Sequence, residues 1–167
     1  MKDGTFSRKI AYAVAGIALM AATTAACSDR SPMPNYQKDA ARDRGWFLTA
    51  AGVAVVDLKS GRTVAQIRLP DWHWAGVPYG CTPALALGPM GEVLVSSDVM
   101  PTLWRIDPET LAVSRHDLLL DEDSGKDVGF SGLVYSAQQK AYIAVGCAQG
   151  SVWRVDPTFK SGQKISL

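Results

Sequence analysis

Histidine is almost missing from this chain, and an excess of charge of either sign is missing altogether. The two histidines in 167 residues are His73 and His116, and no nucleophile–His–carboxylate arrangement is marked around either. Lys and Arg number 17 against 16 Asp and Glu, a net charge of +1. The basic stripe that a nucleic-acid partner calls for is therefore absent. No Gly-rich phosphate loop occurs, although there are 15 glycines. Cysteine is restricted to Cys27, Cys81 and Cys147. Residues 10–26 form one long uncharged apolar run, shorter than the roughly 20 residues a spanning helix needs.

That run sits in a meaningful order. Lys2, Arg8 and Lys9 precede it against a single Asp3, and Thr24-Ala25-Ala26 closes it with small residues. A positive start, an apolar middle and a small-residue end make a secretory signal, which predicts export and removal of residues 1–26. The stretch Thr24-Ala25-Ala26-Cys27 resembles the bacterial lipobox, in which the cysteine becomes a lipidated first residue. The resemblance implies a membrane anchor at Cys27 and, with Ser28 behind it, the periplasmic face of an outer membrane. The other reading of these residues is an ordinary A-x-A-like cut that leaves a free thiol. Residues 27–45 (CSDRSPMPNYQKDAARDRG) are polar and poor in large apolar side chains, and they read as a tether.

Residues 46–167 are organised by an internal repeat. VAVVDLKSGRTVAQIRL from Val53 aligns with LWRIDPETLAVSRHDLL from Leu103 and VWRVDPTFKSGQKISL from Val152. The alignment places Asp57, Asp107 and Asp156 in register, and it pairs Trp104 with Trp153 as core residues. Alternating apolar positions broken by Gly, Pro, Asp and Ser clusters predict four short strands per unit, in the second unit at 84–87, 92–96, 102–107 and 112–118. Each repeat Asp begins a turn, followed by Pro in two units, so its expected work is to hold that turn. Four strands in a unit of about 40–50 residues make a propeller blade.

The stretch VAVVDLKSGRTVAQIRLP, followed by Cys81-Thr82-Pro83, and the stretch GLVYSAQQKAYIAVGCAQGSVWRVD resemble YVTN-type propeller repeats. They also resemble, more loosely, quinoprotein amine dehydrogenase-like and gluconolactonase-like propellers. The resemblance implies an all-β partial β-propeller: an incomplete first blade at 46–69, then full blades at 83–120 and 131–167. Bare sheet edges are avoided in soluble proteins, so ring completion by further copies or another chain is expected.

By the same resemblance, ligands bind on the face that gathers residues 71–81, 98–102, 121–129 and 147–150. Asp71-Trp72-His73-Trp74 is the most unusual stretch there: in an extended chain Trp72 and Trp74 point the same way and flank His73, with Tyr79 nearby. Such aromatics stack on sugars or plug a partner's pocket; the bland alternative is that the rings cover the gap between blades. Asp121, Asp123 and Asp127 surround a glycine but lack the full calcium-loop spacing, so a solvated acidic loop is expected and no metal site. Cys81 and Cys147 fall at the loop-bearing face of neighbouring units, which predicts a disulfide in an exported chain. Gluconolactonase-like enzymes carry an Asn-Gly pair before an inner strand, where this chain has Ser131-Gly132 and Thr82-Pro83. The expectation is thus a non-catalytic binding or scaffold module for a protein or glycan, with no cofactor. The alternative is part of a propeller enzyme, lactonase-like or quinoprotein-like, whose active site lies elsewhere.

Overall fold

The computed structural model describes residues 35–72, 81–120, 129–146 and 150–166. Its strands build three sheets. The first runs β1 (Tyr36–Asp39), β2 (Arg44–Thr49), β3 (Gly52–Asp57), β4 (Thr63–Ile67) in sequence order. The second repeats the pattern with β5 (Leu85–Leu87), β6 (Val93–Ser96), β7 (Thr102–Ile106) and β8 (Val113–Asp117). The third holds β10 (Phe130–Ser136), β11 (Ala141–Gly146), β12 (Val152–Val155) and β13 (Ser161–Ile165), joined at its outer edge by β9 (Leu119–Leu120). Three successive antiparallel meanders of this kind are blade-like sheets of a partial propeller.

The first sheet differs from its sequence reading. Tyr36–Asp39, within the stretch read as a tether, pairs with β2 from Tyr36↔Phe47 to Asp39↔Arg44, so this sheet has four strands and not two or three. The tether reading failed because YQKD carries no apolar alternation. Its strand is held by other means: the Tyr36 ring packs at 4.7 Å on Phe47, and Asp39 accepts the backbone N–H of Ala41 and of Arg42 at the turn. Gln37 donates from Nε2 to the Leu85 carbonyl at 3.1 Å, tying β1 to the second sheet's inner strand. The parallel pairing of β9 with β13 was also unforeseen; Leu118 turns into the core while Leu119 N–H donates to the Lys160 carbonyl.

The turn aspartates behave as expected. Asp57 Oδ1 accepts from the backbone and hydroxyl of Ser60; Asp107 Oδ1 accepts from Glu109 N, Thr110 N and Thr110 Oγ1; Asp156 Oδ1 accepts from Thr158. These bonds hold all three carboxyls below the ordinary aspartate range.

Side chains alternate across each strand, so the middle sheet feeds two cores. Val93, Val95, Trp104 and Ile106 pack against Trp46, Val53, Val55 and Ile67 of the first sheet. Leu94 and Leu103, on the opposite face, pack against Tyr142, Ala144, Trp153 and Val155 of the third. The buried Ser96 hydroxyl ties the second sheet to the third, accepting from Ala84 N at 2.9 Å and donating to the Phe130 carbonyl at 2.8 Å.

Candidate functional site

The topology sorts the connections into two ends. At one end lie the turns β1–β2, β3–β4, β5–β6, β7–β8, β10–β11 and β12–β13, all short. At the other lie β2–β3, β6–β7 and β11–β12 together with the passages from sheet to sheet, the longest covering residues 68–84. Long connections of this kind concentrate function in compact domains.

His73, Trp74, Tyr79, Asp121, Asp123, Asp127, Cys147 and Cys27, all candidates from the sequence, lie outside the described residues. Trp72 is described, and its ring serves the core. It meets the edge of Trp104 at 5.2 Å, and its Nε1 donates to the Ala50 carbonyl at 3.1 Å. The open stacking platform expected of Trp72 is corrected by this packing: the large ring covers the mouth of the gap between the first two sheets. The Cys81 sulfur is engaged in a disulfide. Among the described residues, no group of three His, Cys, Asp or Glu is placed to hold a metal ion.

One residue at this end stands out that sequence reasoning did not single out. Asp98 follows β6, is 6% exposed, and its Oδ1 has no hydrogen-bond partner among the described residues. Burial pushes its carboxyl above the ordinary aspartate range. The neighbouring chain crosses so closely that a Cβ at Gly129 would lie 2.1 Å from the Asp98 carbonyl carbon, and Phe130 N–H donates to the Ser97 carbonyl at 2.7 Å. Buried carboxyls are ordinarily satisfied; one left open at the root of a loop cluster is a functional-site candidate.

The short-turn end holds a cavity of about 410 Å³ between the second and third sheets. Its walls are mostly apolar, formed by Met90, Tyr135, Tyr142, Phe159 and others, with Glu92, Arg105, Ser114 and His116 set among them. Glu92 is 4% exposed and well occupied: Tyr142 donates its phenol to Oε1 at 2.9 Å, and Met90 N donates to Oε2 at 2.9 Å. Burial first, and then the Glu92 charge, push the Tyr142 phenol far up, so it keeps its proton. His116 Nε2 lies 2.9 Å from Ser114 Oγ, and the ring packs on Phe159 at 5.1 Å. Burial and then Arg105 pull His116 below the ordinary histidine range. Nothing in the sequence patterns flagged this cavity; the signal was the polar residues at repeat positions that are apolar one unit earlier.

No family model matches this sequence, and no curated protein does. Among solved structures the chain is similar to a catalytically inactive virginiamycin B lyase from Staphylococcus aureus with quinupristin, with a TM-score of 0.57 at 12% identity over 83% of this chain and 43% of that one. It is also similar to Kuenenia stuttgartiensis hydrazine synthase, with a TM-score of 0.54 at 13% identity over 81% of this chain and 36% of that one. Both are β-propeller proteins, so the likeness establishes the propeller-like fold. The chain spans less than half the length of either.

Proposed function

We propose that this protein is an exported, lipid-anchored binding or scaffold module that engages a protein or glycan through its long-loop end. The observation that carries this reading is Asp98, a buried carboxyl with an unpartnered oxygen at the base of those loops. Such a group costs stability in the unbound protein, and that cost is offset when a partner's donor reaches it. The short-turn end contrasts with it, because Asp57, Asp107 and Asp156 each accept hydrogen bonds from their own turns. Trp74, His73 and Tyr79 belong to the same recognition surface in this proposal, and Cys27 supplies the anchor to the envelope. Cys81 pairs with Cys147, stapling the second and third sheets beneath the loops. The outer faces of the first and third sheets are closed by further copies or by another chain.

The test is binding of the full chain to immobilised envelope proteins and to a glycan array, beside a variant in which residues 73–80 are replaced by a Gly-Ser linker and beside Asp98→Ala. Retention of a ligand by the native chain and its loss from both variants supports the reading. Equal retention by all three overturns it.

A further inference from the structure

The geometry points to a second binding site at the opposite end, in the cavity between the second and third sheets, for a small ligand with a flat apolar body and one negative charge. This stands apart from the loop-end reading and rests on a comparison the molecule makes with itself. In the first sheet, Trp46 pairs with Val55, and Val55 pairs with Ala65; Val53 pairs with Ile67. In the second sheet the same ladder positions are Leu94, Arg105, Ser114, Leu103 and His116, in the pairs Leu94↔Arg105, Arg105↔Ser114 and Leu103↔His116. Trp46, Val55 and Ile67 fill the groove between the first two sheets as solid core, Trp46 and Val55 being fully buried. One groove further on, Leu94 stands for Trp46, Arg105 for Val55, Ser114 for Ala65 and His116 for Ile67.

Each of these exchanges is unfavourable for packing. Leucine in place of tryptophan brings less bulk to this face, and arginine, serine and histidine in place of apolar residues bring groups that need partners onto an inter-sheet face. The third sheet repeats the polar choice at Arg154 and Gln163 on its outer face, but only in the groove between the second and third sheets do such groups, Arg105, Ser114 and His116, line a cavity between two described sheets. Alternation along β7 sends Leu103 and Arg105 toward the third sheet, and the guanidinium charge is felt at both His116 and Tyr142. Yet among the described residues Arg105 makes no ion pair and no side-chain hydrogen bond, whereas Arg42, Arg44 and Arg115 are all engaged.

The charged groups facing the cavity set the ligand's charge. Glu92 is negative but both its oxygens are taken, Lys140 and Arg105 are positive, and His116 is held toward its neutral form. The walls thus carry one positive charge in excess. The aromatic rings of Tyr135, Tyr142, Phe159 and His116 offer flat apolar surfaces, and a volume of about 410 Å³ lies within the ordinary range of small-molecule pockets. A carboxylate or sulfonate bonded bidentately to Arg105, with its apolar body among the rings, satisfies every group the cavity leaves open.

Isothermal titration of the purified full chain with naphthalene carboxylate, and with its neutral carboxamide, tests this. The acid is expected to bind more tightly than the amide. Arg105→Gln is expected to weaken the acid about tenfold while leaving the amide unchanged, and Arg105→Lys to recover part of the loss. Val134→Lys, on the far face of the third sheet, is expected to change neither. No heat from the native chain at millimolar acid overturns the proposal, as does an Arg105→Gln variant that is folded by circular dichroism and binds the acid as tightly as the native chain.

Discussion

The Tyr142 phenol and the Glu92 carboxylate meet at 2.9 Å across the boundary of the third and second sheets, both groups buried. Two sheets are thereby joined by a charge-assisted bond. Gly88 leaves the space: a Cβ there would lie 2.0 Å from the Tyr142 hydroxyl and 2.2 Å from Glu92 Oε1. Tyr142→Phe is expected to cost about 2 kcal/mol in urea unfolding, because it strands one carboxylate oxygen. Tyr142→Phe combined with Glu92→Gln is expected to recover part of that, as the uncompensated charge is removed.

Acid should unfold the protein in two stages. The folded chain holds His116 below its ordinary value of 6.5, through burial and Arg105 against a weaker upward pull from Asp117. The unfolded chain therefore binds that proton first, so the stability is complete above about 6.5 and declines as pH falls below it. Asp57, Asp107 and Asp156, held below their ordinary 3.8, keep their contribution until pH drops under that value. His116→Gln should flatten the first stage and leave the second; urea midpoints measured from neutral pH down to about 5 decide it.

Asp98 runs with the opposite sign. Its carboxyl is raised in the folded chain, so ionisation at neutral pH opposes folding, and the opposition vanishes once pH falls below the ordinary 3.8. Asp98→Asn is expected to raise the melting temperature at neutral pH and to bring no gain in strong acid, while weakening loop-end binding. A lowered melting temperature at neutral pH would mean that the carboxylate is satisfied after all.

Both end sheets turn apolar residues outward: Val134 is 58% exposed on the third sheet and Val64 is 56% exposed on the first. Val134→Lys with Val145→Lys is expected to shift the purified chain toward smaller assemblies in light scattering. A native chain that is already a folded monomer at micromolar concentration contradicts the proposed closure of these faces.

Repeat spacing made the strands of the second sheet legible to within a residue at each end, because its alternation is strong and an Asp-anchored turn punctuates it. Trp104 and Trp153 were legible as core for the same reason, and both are fully buried. Tyr36–Asp39 was illegible because YQKD carries no apolar alternation, although it pairs with the strand directly after it and Gln37 ties it to Leu85. Asp98 was passed over since burial of a loop carboxyl is set by the crossing at Gly129, which local sequence does not encode. The cavity was half legible: aligning Arg105 with Arg154 made it look like a repeat feature, and the contrast with Val55 was what mattered.

The central claim is that recognition occurs at the long-loop end, and in-cell photo-crosslinking compares the two ends directly. A benzoylphenylalanine placed at Tyr79 or at Val99, which lies in the β6–β7 connection, is expected to trap the same discrete adduct. One placed at Gln139, exposed in the β10–β11 turn, is expected to trap no macromolecule. Adducts from position 139 with none from 79 or 99 would contradict the account.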